Sequence, residues 1–329
     1  MNRLFRNLLN RKYFLLIAII VRYAVCLGNQ IQMTTTISGE IEIRIAGAGA
    51  VTVDWGDKTA AETHTLENYA DIMQFLSDDA EGYIYKHVFS NNAKRNIVLS
   101  GDNITHLYCS GIQLTGIDVS DNIALKGLSC DNNQLTGLNL NANTALTFVI
   151  CDDNRLTDLN LSNNKALVYV DCSSNKLTKL DVSHNKALSN LICNNNLLTN
   201  LNVNANTALS YLICHENNIT SLNVSANVEL VEFWCFKNQL TQLDVSKNVS
   251  LVQLNCNWNK LTGLDVSKNT ALNFLGCSEN LLDDVALDKL FGTLHNKSGQ
   301  KTMYIGGNPG LDDCDRTIAA DKGWTVVYY

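Results

Sequence analysis

Nine cysteines, Cys109, Cys130, Cys151, Cys172, Cys193, Cys214, Cys235, Cys256 and Cys277, stand at a constant interval of 21 residues. An interval held that strictly makes the segment an array in which each unit is one coil of a solenoid. One coil carries about six apolar side chains, each worth roughly 1.5–3 kcal/mol when fully buried. Fixing the backbone of 21 residues costs roughly 1–2 kcal/mol apiece. A lone coil loses that contest, so the units must stack and both ends of the stack need covering.

Aligned on its cysteines, the unit reads L-x-x-L-x-C-x-x-N-x-L-T-x-L-[DN]-[VL]-[SN]-x-N-x-x, as in Leu125, Leu128, Cys130, Asn133, Leu135, Thr136, Leu138, Asn139, Leu140 and Asn143. It holds two half-units, each with apolar residues two apart, the period of a strand with one buried face. Two strand signals per coil leave no room for a helix of three turns. The recurring Asn suits the turn that ends each strand, because its amide both donates and accepts. These motifs, over residues 104–282, resemble a bacterial leucine-rich repeat that nests two half-repeats in 21 residues with Cys at the sixth position, the IRREKO class. The resemblance implies a mostly β solenoid of short parallel strands and surface binding in general, with no ligand named. The first unit departs from the pattern, with Ile112 in place of the Asn after Cys109.

The thiols read as small buried hydrophobes. In-register cysteines on successive strands lie about one strand spacing apart, too far for a relaxed bridge, and nine cannot pair fully. Metal binding would need clustered spacing such as C-x-x-C, which is absent. Cys314 lies off the ladder and is read as free.

Residues 1–28 carry five basic groups, Arg3, Arg6, Arg11, Lys12 and Arg22, and no acid, with an apolar run from Tyr13 to Val21, the pattern of a targeting segment too short to span a bilayer. The expectation is an exported, secreted or cell-surface bacterial protein, with Cys26 a candidate for lipidation and no membrane insertion of the mature chain otherwise. The rest of the chain sums to a net charge of −12, which argues against nucleic acid and anionic membranes as partners.

Residues 29–102 alternate apolar and polar residues in Ile41–Ile45, Val51–Trp55, Tyr83–His87 and Asn96–Leu99, which predicts an antiparallel β-sandwich. Val53-Asp54-Trp55-Gly56-Asp57 with Tyr85-Lys86-His87-Val88-Phe89 resembles the WGDG…HxY signature of PKD-type domains. Lys58 and Phe89 stand where that family has Gly and Tyr. Asp54 and Asp57 are expected to cap the tight turn, with a metal or acid site as the alternative. Leu66, Tyr69, Met73 and Leu76 suggest a short inserted helix. This domain is read as the amino-terminal cover of the solenoid, residues 103–282. Residues 283–329 are read as a C-terminal α/β cap covering its last edge. That cap comprises a helix over Val285–His295 capped by Asp283-Asp284, with Val285 among its buried residues, a strand at Met303, a second helix over Asp313–Lys322 and a last strand from Thr325.

Comparing coils separates two kinds of outward position. In the second half-unit they barely change: Thr recurs, then Asp or Asn at 118, 139, 160, 181, 202, 223, 244 and 265, as expected of a hydrogen-bond ladder between coils. Around the cysteines they vary freely, and large apolar groups collect. Phe148, Tyr169, Ile192, Tyr211, Ile213, His215, Trp234, Phe236 and Trp258 form the candidate partner-binding set, because a contiguous aromatic patch usually marks contact. The partner class is a protein, with a glycan as the alternative. G-x-S-x-G, H-E-x-x-H and a Gly-rich phosphate loop are all missing, so no catalytic residue, metal or cofactor is assigned. Glu216, His215 and Glu232 read as a solvated rim.

Overall fold

The computed structural model describes residues 29–68 and 84–328. The targeting segment and most of the expected inserted helix lie outside these residues. Leu66 itself ends a strand.

The amino-terminal part contributes β1 (Gln30–Thr35), β2 (Gly39–Gly47), β3 (Gly49–Asp54), β4 (Glu62–Leu66), β5 (Ile84–Phe89) and β6 (Arg95–Ser100), all paired antiparallel. The alternating runs coincide with β2, β3, β5 and β6, except that Trp55 follows β3 and Tyr83 lies outside the described residues. Ile31, Met33, Ile43, Ile45, Val53, Ile97 and Leu99 are fully buried between them.

The sheets do not stop where the repeat begins. β7 (Ile104–Tyr108) pairs antiparallel with β2 on one side and parallel with β9 (Gly127–Ser129) on the other. β8 (Leu114–Asp118) joins β1 instead, giving a five-stranded sheet in the order β4-β3-β6-β1-β8. The amino-terminal strands thus cover the first coil by donating hydrogen bonds to it as well as by packing.

From β9 the chain climbs one coil per repeat through β10 (Phe148–Ile150), β11 (Tyr169–Asp171), β12 (Asn190–Ile192), β13 (Tyr211–Ile213), β14 (Glu232–Trp234), β15 (Gln253–Asn255) and β16 (Phe274–Gly276), parallel and in register. Within one coil Leu188, Leu191, Cys193, Leu198, Leu201 and Val203 are at most 3% exposed, the six inward groups that the pattern requires. All nine ladder thiols are free and fully buried, and burial pushes the Cys193 thiol well above its ordinary range. Cys314 is also free, but buried rather than accessible.

The coils are joined by side chains as much as by strands. Asn196 Nδ2 donates to the Cys172 and Cys193 carbonyls at 3.0 and 3.2 Å, and its Oδ1 accepts from Leu177 N at 2.9 Å. A second buried Asn per coil does similar work: Asn206 Nδ2 donates to Val182 O and Asn185 O, both at 2.9 Å.

This arrangement corrects two expectations about the second half-unit. The second half-unit forms no strand after β8, apart from a single bridge between Asp181 and Asn202. The backbone N–H that would start its ladder, such as Leu177 N, is taken by the Asn side chain. The outward Asp/Asn column ties coils together only in places, where Asn160 Nδ2 donates to Asn141 Oδ1 at 3.2 Å and where Asp181 bridges Asn202. Asp181 and Asp244 accept from the N–H two residues on, at Ser183 and Ser246, both at 2.9 Å, so the bonds close turns within a coil.

At the last edge both expected strands form, and β17 (Thr302–Tyr304) and β18 (Thr325–Val327) extend the same parallel sheet. Met303, Ile305 and Asn308 repeat the inward L-x-C-x-x-N pattern, and Asn308 Nδ2 donates to Cys277 O at 2.9 Å. α1 (Asp284–Thr293), whose first turn is capped by Asp283 accepting from Ala286 N at 2.8 Å, lies between β16 and β17, and a single turn, α2 (Thr317–Ala320), lies between β17 and β18. Val285 is 70% exposed, not buried, because the packed face of α1 is made by Leu287, Leu290 and Phe291. Residues 313–316 are not helical, so the second helix is much shorter than the expected Asp313–Lys322 span.

Candidate functional site

The residues before and after each ladder Cys point away from the core, because alternate residues of a strand face opposite sides. In-register pairing then stacks equal positions into columns, so Asp171, Ile192, Ile213 and Trp234 are consecutive neighbours.

At the centre of this face three rings meet. His215 and Phe236 are stacked with centroids 3.9 Å apart and planes 11° apart, and Trp234 lies 6.4 Å from each. His215 Nδ1 and Trp234 Nε1 are both covered and have no hydrogen-bond partner among the described residues. Burial lowers the His215 pKa, with the Glu216 charge opposing and the Lys237 charge adding to it. Tyr211 stands 39% exposed beside Ile213.

Trp258 adjoins this group through the turn that follows each strand. The residue two after every Cys has positive φ, about 50° in Asn195, Glu216, Lys237 and Trp258. Bulky side chains rarely adopt that conformation. Along this row Glu216 pairs with Lys237, and Lys237 Nζ sits 5.9 Å over the Trp258 ring, which is 48% exposed. An exposed Trp in a column otherwise filled by Gly, Asn, Asp, Ser, Lys and Glu has no packing reason to be there.

Not all nine candidates belong together. Phe148 is 2% exposed, contrary to its reading as a surface residue. It covers Gly127, where a Cβ would lie 2.2 Å from its ring, and stacks on His106 at 5.8 Å. With Ala46 it forms a separate apolar cluster, joined by Tyr108, Ile150 and Tyr169. Phe148 and Tyr169 therefore serve the junction with the amino-terminal sheet. Ile192, Tyr211, Ile213, His215, Trp234, Phe236 and Trp258 remain as the face.

The sequence reading passed over three carboxylates on the same face. Asp131 accepts from the Ser110 and Ser129 hydroxyls, and Asp171 Oδ1 accepts from Ser173 Oγ at 2.7 Å. Asp152 lies between them, and its pKa is raised to about 7 by burial, then by the charges of Asp171 and Asp131. Among the described residues no Lys, Arg or His forms an ion pair with any of the three. Reading the two columns across coils, rather than searching for aromatics, would have found them.

Two other features have structural explanations. In the amino-terminal part Asp54 Oδ1 accepts from Gly56 N at 2.9 Å, and Asp57 Oδ1 accepts from Thr59 N at 3.0 Å, so both acids cap the turn. The Thr59 hydroxyl and then His87 hold the Asp57 carboxyl well below the usual range, and His87 stacks on Trp55 at 4.8 Å. Gly56 has φ 72°, and a Cβ there would meet Asn96 O at 2.2 Å; Lys58 shares that φ. Elsewhere an open groove where α1 meets the second half-units is lined by Asp244, Asp265, Val285 and Lys289. Its two coil carboxylates are already engaged in turn bonds with Ser246 and Ser267.

Neither a family model nor a curated protein matches the sequence. Solved structures do. The functional domain of InlJ from Listeria monocytogenes, which includes a cysteine ladder, is 33% identical to this chain, with 68% of this chain and 53% of that one covered and a TM-score of 0.53. Two internalins of the same organism, InlF and InlC2, match at 20% and 21% identity. They cover 62% and 54% of this chain and 74% and 82% of their own, with TM-scores of 0.44 and 0.45. The chain spans about half the length of the InlJ domain. Its fold is that of a leucine-rich-repeat solenoid.

Proposed function

We propose that this chain is an exported, non-enzymatic recognition protein that binds a protein partner through the exposed face of its Cys-containing strands. The observation that carries this reading is the contiguous His215–Trp234–Phe236 surface, flanked by Ile213, Tyr211 and Trp258. Rings already stacked on one another lose little freedom on contact and offer large area, which is how binding hot spots are built. A solenoid also presents its columns as one long open surface. Export rests on the basic and apolar make-up of residues 1–28, with Cys26 as a possible lipid anchor. The PKD-like reading of residues 29–102 rests on Trp55, Asp57 and His87.

The test is retention of surface proteins from bacterial and host extracts by the immobilised chain, run beside a Trp234→Ala/Phe236→Ala variant and a glycan array. A protein retained by the wild type and lost by the variant supports the reading. Glycan binding without protein retention replaces it with carbohydrate recognition.

A further inference from the structure

The face has two chemically different ends. Toward the amino terminus stand Asp131, Asp152 and Asp171, crowded enough that burial and mutual repulsion keep Asp152 partly protonated near neutrality. Toward the carboxy terminus stand His215, Trp234 and Phe236. Between them the columns carry Ile192, Asn194 and Ile213, all half-buried. Among the described residues no cation pairs with these acids, whereas the nearby Glu216 has Lys237.

We infer that the partner docks as an extended protein segment running along the solenoid axis, with a Lys or Arg over Asp152–Asp171 and an apolar or aromatic side chain over Trp234–Phe236. The inference rests on the proposed protein-binding role of this face and names the chemistry of the partner. Charge complementarity fixes the basic end, because a cation there relieves a repulsion that the fold leaves uncompensated. Register fixes the spacing. Asp171 and Trp234 lie three strands apart and Asp152 and Phe236 four, roughly 14–19 Å at about 4.8 Å per strand. An extended segment rises about 3.3 Å per residue, so its basic and apolar residues are about four to six apart. Crossing the strands, such a segment makes its contacts through side chains, and the ring surface supplies the apolar part.

The experiment is selection of a displayed random twelve-residue peptide library on three proteins: the full chain, Asp152→Asn/Asp171→Asn, and Trp234→Ala. Both Asn replacements keep shape and remove repulsion, so the variant keeps its fold. The expected winners on wild type carry Lys or Arg about four to six residues from Trp, Phe, Leu or Ile. Synthesised singly, they should lose at least roughly tenfold in affinity on either variant and weaken as salt is raised. Winners that depend on Trp234, lack a basic residue and bind the Asn variant equally well would overturn this inference and leave the recognition role standing. Winners indifferent to both changes would overturn both.

Discussion

The two halves of each coil solve the same packing problem differently. Around Leu191 and Cys193 the backbone bonds its neighbours directly, strand to strand, so the outward side chains owe the fold nothing. Around Leu198 and Leu201 the coil is held by the Asn196 and Asn206 amides and by turns closed at Asn202, and the sequence there barely varies. Constancy marks the half where side chains complete the backbone's hydrogen bonds. Variation marks the half where the backbone is self-sufficient, and that is where a surface can be shaped for a partner.

The largest effect expected from this contrast is at an inward position of the strand half. Leu212 is fully buried. Leu212→Ala leaves a cavity that neighbouring coils cannot close, costing about 2–5 kcal/mol in chemical denaturation. A loss under 1 kcal/mol would mean the core tolerates voids and the coil is less tightly packed than described.

A smaller effect separates two asparagines two residues apart. Asn196→Ala strands one N–H and several carbonyls in the interior, a loss of about 1–3 kcal/mol, whereas Asn194→Ala on the variable face costs about 0.5 kcal/mol or less. Equal melting shifts would erase the distinction between the halves.

The smallest effect comes with a sign. The Asp152 carboxyl is raised to about 7 in the folded chain, against about 3.9 unfolded, so the fold favours its protonated form. That contribution is present at low pH and is lost as pH rises from about 4 to 7. Asp131, Asp153 and Asp171 are the acids facing it. Asp152→Asn should therefore be neutral near pH 4 and stabilise by about 1 kcal/mol at pH 8, a figure discounted for partial exposure. Titrating thermal stability of both proteins checks it. Destabilisation at pH 8 would show that Asp152 holds the fold together.

The array was legible because its period is covalent: nine cysteines and their leucines state the register, the inward set and the coil length. The missing second strand was not, since Leu201 and Val203 alternate as strand residues do while Asn196 occupies the donor that pairing needs. Phe148 looked like its neighbours in the column. Its burial depends on Gly127, Ala46 and His106, which come from three other strands. The acids were written in the columns but drew no attention, because one carboxylate on a surface is ordinary and only stacking makes three of them a feature. Val285 fitted the apolar stripe of a helix whose packed face turned out to be narrower.

The central claim is that one strand serves the core with its inward residue and a partner with the outward one. Trp234→Ala tests it most directly, with the unfolding transition and partner affinity measured on the same preparation. Trp234 is half-buried against His215 and Phe236, so its loss should cost less than about 1 kcal/mol of stability. Affinity for the captured partner should fall by about 2 kcal/mol or more. A variant that unfolds easily yet binds at full strength through its folded fraction would contradict the account.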